Sequence, residues 1–195
     1  MTFDLRGVRV TVTFGFCAVL ALLLSLEQGV HLLPALLACG VHESGHILAA
    51  YACGMKLEAI CFSALGIRME GNTAGISHWR RAVISLAGPF MNFSFFLPLY
   101  VLDPRASAMQ LLLFLFHILP AVPLDGGAAL YSMLCARWPE ERAAKVITAV
   151  SAVFALLLGT FGFYVLLRSR YNFTLLFLAV YILFYLVFKH REGFS

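Results

Sequence analysis

Of the 195 residues, 62% are hydrophobic and 12% charged, where an ordinary soluble domain is about half apolar and a quarter charged. The apolar excess gathers into runs of about 20 residues, the length that crosses a bilayer; this argues against a soluble globular domain and for a polytopic membrane protein. The net charge of +4 comes mostly from Lys and Arg between those runs, with no basic cluster interleaved with aromatics, so nucleic acid is not an expected partner.

Met1 to Val10 carries no cleavable signal pattern, and the alternation of Val8, Val10 and Val12 allows a short strand. A first span is predicted from about Thr11 to Leu26, closed by Glu27, Gln28 and Gly29. The second runs from about Val30 to Ala52, with Pro34 in its opening turn, where proline is tolerated. Gly54 is placed to stop it. From Met55 to Ala74 the period changes to two, with a break at Gly66, which predicts an interfacial β-hairpin or small sheet. A third span is expected at about Ile76 to Leu102, and a fourth apolar segment at about Ala108 to Leu134. Pro120, Pro123, Gly126 and Gly127 should break that segment and leave Asp125 on unwound backbone at membrane depth, which requires burial in protein or a wet cavity. The fifth and sixth spans are expected at about Val146 to Leu167 and Tyr171 to Phe188. Tyr164, Tyr171, Tyr181 and Tyr185 include candidate interface anchors. The fold class expected is an all-α polytopic membrane protein of about six transmembrane helices, with the small sheet after the second. Six spans put both termini on one side, and of 14 Lys and Arg only Arg105, Arg168 and Arg170 then fall opposite. The positive-inside rule makes the termini cytoplasmic. The five cysteines form no C-x-x-C pair, so no disulfide framework is expected.

The chemistry centres on His42-Glu43-Ser44-Gly45-His46 inside the second span. Positions i and i+4 share one helix face, so His42 and His46 can hold one metal ion with Glu43 beside it as general base. Two imidazoles and an acid at membrane depth are costly unless they pair or bind something. A catalytic zinc takes a third protein ligand. The candidates are Asp125, Glu58, Glu70, Glu27, Asp103 and His117. Asp125 is the best of them, the one carboxylate within an apolar segment on broken backbone. Under the assigned topology the second and fourth spans run the same way, and His42 to His46 and Asp125 reach a similar depth on the cytoplasmic side of the midplane.

H-E-x-x-H in one span, Ala87-Gly88-Pro89-x-x-Asn92 in the next and Pro120-x-x-Pro123-Leu124-Asp125-Gly126-Gly127 in the one after resemble the site-2 protease family of intramembrane zinc metalloproteases. The compact size is most similar to the bacterial branch that includes stage IV sporulation protein FB. The resemblance implies one Zn2+ per chain on His42, His46 and Asp125, Glu43 as base, and Asn92 as a residue holding the substrate or the transition-state oxygen. His117 departs from the family, which commonly has asparagine eight residues before the ligand aspartate. A substrate-binding role there would have to use an imidazole.

The chain reads as a single transmembrane protease domain over 1–195, with its motif core at about 30–134 and no PDZ-like or nucleotide-sensing domain. The partners implied are the lipid bilayer, a membrane or membrane-associated protein substrate such as a transcription or sigma factor precursor, and regulatory membrane partners, in a bacterial cell membrane. Two other readings stay open: a membrane zinc protease of another clan with Glu58 or Glu70 as third ligand, and a non-enzymatic metal-binding adaptor or transporter. Asp125 could instead serve a turn, and Asn92 a helix–helix hydrogen bond. His31, His78 and His190 read as interfacial side chains.

Overall fold

The computed structural model describes residues 1–5, 7–26, 32–63, 66–72, 75–169 and 173–192. Arg6, the stop at Glu27 to Gly29, Val30, His31, Ala74, Arg170 and Tyr171 lie outside the described residues.

The chain runs β1 (Thr2–Leu5), β2 (Val8–Val12), α1 (Phe14–Leu26), α2 (Leu32–Ala52), β3 (Lys56–Ser63), β4 (Gly66–Asn72), α3 (His78–Leu102), α4 (Pro104–His117), α5 (Asp125–Cys135), α6 (Glu140–Ser169) and α7 (Thr174–Glu192). Three described helices, α2, α3 and α6, are long and apolar enough to cross a membrane. Six were expected. α1 has 13 residues, about 20 Å at 1.5 Å per residue, against a hydrocarbon core of about 30 Å. The described apolar stretch of α7 is limited to Leu175–Val187. The fourth apolar segment is two helices, α4 and α5, because Pro120 and Pro123 each remove a backbone donor and clash with the preceding turn.

The chain is mostly helical, as expected, and the small sheet is larger than expected, with four strands in the order β1-β2-β3-β4. The hairpin predicted after the second helix is its β3–β4 half, antiparallel with Ile60 opposite Met69 and a register shift between Leu57 and Ala59. The other half is N-terminal: β1 pairs antiparallel with β2, and β2 runs parallel to β3 with Val10 opposite Ile60. Parallel neighbours need a long crossover, supplied here by α1 and α2. The sheet therefore holds the start of α1 and the end of α2 at one end of the molecule.

α2 ends as Gly54 predicts. Gly54 takes φ +79°, and the N–H of Met55 reaches back to the carbonyl of Ala50 at 2.9 Å, the closure that a left-handed residue permits. α3 opens on Ser77, whose side chain accepts from the Arg80 N–H, and α4 on Asp103, which accepts from Arg105 and Ala106.

α2, α3, α4 and α5 pack together as one block, and α6 joins it to α7. The α6–α7 contact is apolar: Ala155 and Ile182 are fully buried with Ala121, against Phe154, Leu158, Leu178 and Leu186. Large apolar side chains stay exposed along the outer helix faces, including Leu97, Leu112, Leu156 and Phe177. Facing lipid is the condition under which such a surface costs nothing.

Candidate metal centre

His42 and His46 sit one turn apart on the buried face of α2. Each ring is held at Nδ1. His42 Nδ1 lies 2.6 Å from Asn92 Oδ1 on α3, and His46 Nδ1 lies 2.8 Å from the Ile84 carbonyl. Both partners are acceptors, so each Nδ1 carries the proton and each neutral ring presents a bare Nε2. α3 can come this close because Gly88 has no side chain. A Cβ there would fall 2.3 Å from His46 Nε2.

The chain break between α4 and α5 brings in the carboxylate. Asp125 is not on unwound backbone as expected; it is the first residue of α5, directly after the irregular stretch. Gly126 explains how that stretch is accommodated, since a Cβ would meet the Ile118 and Leu119 carbonyls at 2.3 and 2.5 Å. The stretch is buried in protein, with Ala121 and Val122 inside. Its Val122 N–H finds the Ser151 hydroxyl of α6 at 3.0 Å, as irregular backbone at membrane depth requires.

Asp125 Oδ2 is 3.0 Å from His42 Nε2 and 3.5 Å from His46 Nε2, and the two Nε2 atoms are 3.1 Å apart. Among the described residues this is the one group of three His, Cys, Asp or Glu side chains close enough to share a metal ion. Ligands at about 2.0–2.2 Å from a tetrahedral zinc lie about 3.3–3.6 Å apart, so the triangle matches to within a few tenths of an ångström. The donor set fits chemically as well. Two bare imidazole nitrogens and a carboxylate converge, an arrangement that repels itself without a cation between.

Glu43 lines the same cavity, of about 340 Å³, with His42, His46, His117 and Asp125, and with Leu57 and Met69 from β3 and β4 on another wall. His117, the last residue of α4, places Nδ1 2.6 Å from Asp125 Oδ2, where it can donate to the carboxylate and keep Nε2 as an acceptor. Asn92, expected at the substrate, lies fully buried behind His42 and does not line the cavity. Of the other candidate ligands, Glu27 lies outside the described residues. Glu58 and Glu70 are exposed on the sheet, and Asp103 is occupied as the cap of α4. Gln110 of α4, 2% exposed and bonded to Asn92, was missed. Its signal was a lone amide inside an apolar run.

Residues 31–103 match peptidase family M50. The Synechocystis sp. sll0528 protein, named for zinc metalloprotease activity, is 29% identical over 110 residues, covering 48% of this chain and 28% of that one. Zinc metalloprotease MJ0392 of Methanocaldococcus jannaschii is 26% identical over 136 residues, covering 63% and 39%. The chain thus spans well under half the length of these two relatives. The solved structure of a site-2 protease from Methanocaldococcus jannaschii superposes with a TM-score of 0.68 at 21% identity, over 94% of this chain and 92% of that one.

Proposed function

From a chain that carries a peptidase family M50 domain over residues 31–103 and has the fold of a site-2 protease, we propose an intramembrane zinc metalloprotease. The observation that carries the reading is the convergence of His42, His46 and Asp125 with Glu43 in one cavity. The three converging side chains would hold one zinc ion. When bound, zinc supplies a Lewis acid and makes water acidic enough to lose a proton near pH 7. Glu43, in the same cavity, would be the residue that accepts a proton from water and returns it to the leaving amine. His117 would steady the Asp125 carboxylate by donating from Nδ1 to Oδ2, the oxygen that also faces His42 and His46.

The substrate proposed is a membrane or membrane-associated protein segment, of the kind found in a transcription or sigma factor precursor. A helical segment hides its carbonyls in intrahelical bonds and must unwind before attack. The sheet supports a route. β3 is paired on both sides, so β4 is the edge of the sheet next to the cavity, and Met69 of β4 lines that cavity. An unwound segment adding to β4 would lie along the site. Proline at Met69 and at Glu70 in turn tests this, since backbone N–H groups of adjacent residues point to opposite sides of a strand. Cleavage lost with zinc retained supports the route; unchanged cleavage in both refutes it.

We read the chain as one protease unit with cytoplasmic termini. α4 and α5 would together make one crossing, with α1 and α7 as the outer ones. The shared sheet supports placing β1, β2, β3 and β4 on one side, in keeping with the Lys and Arg distribution. The experiment that tests the function is zinc content and cleavage of a membrane substrate, wild type beside Glu43→Gln. Metal retained with activity lost supports the protease; no effect on either supports a binding protein.

A further inference from the structure

Behind the ligands, away from the cavity, lies a chain of amides that the reaction itself does not use. Asn92 Nδ2 donates to the Ala38 carbonyl at 3.0 Å and to Gln110 Oε1 at 2.5 Å. Asn92 Oδ1 faces His42 Nδ1 at 2.6 Å. The three side chains are 2% exposed for Gln110, 0% for Asn92 and 3% for His42. Three helices contribute: α4, α3 and α2.

Resting on the metal site proposed above, we infer that Gln110 is a positioning residue that sets the tautomer of His42 through Asn92. An asparagine amide can be turned either way, and only one orientation serves here. With Ala38 and Gln110 both presenting acceptors on one side, the Nδ2 end must point at them. That leaves Oδ1 for His42, and Oδ1 can only accept. His42 must then carry its proton on Nδ1 and leave Nε2 bare for metal. Removing the Gln110 acceptor loosens the amide. Once Asn92 turns, its N–H faces His42 Nδ1 and favours the opposite tautomer. The proton then sits on Nε2, 3.0 Å from Asp125 Oδ2, and the two ligands bond each other in the place of the metal. The relay holds the site open against this collapse. Partners of this kind are worth roughly 10–100-fold in metal affinity.

Gln110→Met keeps the volume and removes the acceptor, whereas Gln110→Glu keeps an acceptor. Two readouts are needed, neither of them proteolysis. The first is ¹⁵N NMR of histidine-labelled, metal-free protein, with the His42 signals identified by their loss in His42→Gln. The second is zinc affinity by competition with a chelator. We expect Nδ1-protonated His42 in the wild type, a shift toward the Nε2-protonated form in Gln110→Met, roughly 10–100-fold weaker zinc binding in that variant, and recovery in Gln110→Glu. Wild-type affinity and an unchanged tautomer in Gln110→Met overturn the inference. A wild type that binds no zinc overturns the metal site instead, and the metal-free tautomer still decides the relay.

Discussion

The α2–α5 block and the α6–α7 pair are both built from apolar helices and solve opposite problems. In the block, polar side chains sit at membrane depth and bond across helices: His42 to Asn92, Asn92 to Gln110, His46 to the Ile84 carbonyl, His117 to Asp125. Between α6 and α7 the packing is Ala155, Ile182 and their apolar neighbours. The buried polar side chain that α6 contributes, Ser151, reaches back to the block at Val122. Polar bonds need fixed geometry, whereas the α6–α7 contact is tight at Gly162, where a Cβ would meet Leu176 N at 2.9 Å, and open at Gly159. Substitutions in the block should therefore be read out in metal and chemistry, and those in the pair in stability.

The largest effect expected is from Asp125→Ala. Zinc content should fall from about one per chain to background and cleavage should vanish, because two histidines do not complete a zinc site. Zinc retained in that variant would mean that another candidate completes the site: His117, which already lines the cavity, or Glu58 or Glu70 of the sheet. Glu43→Gln should separate the functions within the block, with metal unchanged and turnover reduced by roughly 10²–10⁴-fold, the range of a general acid–base group. Gly88→Ala, unlike Glu43→Gln, should act on the metal itself, with cleavage falling as zinc is lost. Its methyl group would fall on His46 Nε2, so zinc affinity should drop by roughly 100-fold or more, beyond the effect of an outer partner.

These effects sit in a part of the molecule whose sequence was readable for a particular reason. H-E-x-x-H has a helical spacing that states its own geometry, and the prolines at 120 and 123 announce a break wherever the fold places them. Burial of charge at membrane depth is costly enough that Asp125 stood out among acids. Less legible were relations between distant stretches. The parallel pairing of β2 with β3 joins residues 50 apart across two helices, and nothing local in Val8–Val12 names its partner. Gln110 was passed over because one amide hardly disturbs an apolar run, and its meaning lies in Asn92 on another helix. Element bounds were legible only coarsely, because apolar length includes strand and loop residues: Thr11 to Leu26 read as one span, whereas Thr11 and Val12 belong to β2 and α1 begins at Phe14.

Ser151→Ala tests the bond that joins the two regions. It strands the Val122 N–H in a buried position and should cost about 1–3 kcal/mol of stability, the penalty for a lost partner. Unfolding in mixed micelles measures it, and zinc affinity should move less than stability does. An affinity loss as large as that of Gly88→Ala would mean that the α6 contact, not the packing of Gly126 against Ile118, sets the position of Asp125.

The smallest effect sharpens the contrast most. Gly159 of α6 also faces a neighbouring helix, but a Cβ there would meet the Ala179 methyl at 3.6 Å, an ordinary van der Waals contact. Gly159→Ala should therefore leave zinc binding unchanged and raise stability slightly, by up to about 1 kcal/mol, since glycine is the poorer helix former. Two glycines in two helix contacts would then give opposite results for one added methyl. At Gly88 the missing side chain makes room for the His46 ring; at Gly159 it leaves space the packing can fill. A marked destabilisation at Gly159 would show that α6 and α7 must approach more closely than this structure has them, and Gly159 would no longer be the tolerant half of the comparison.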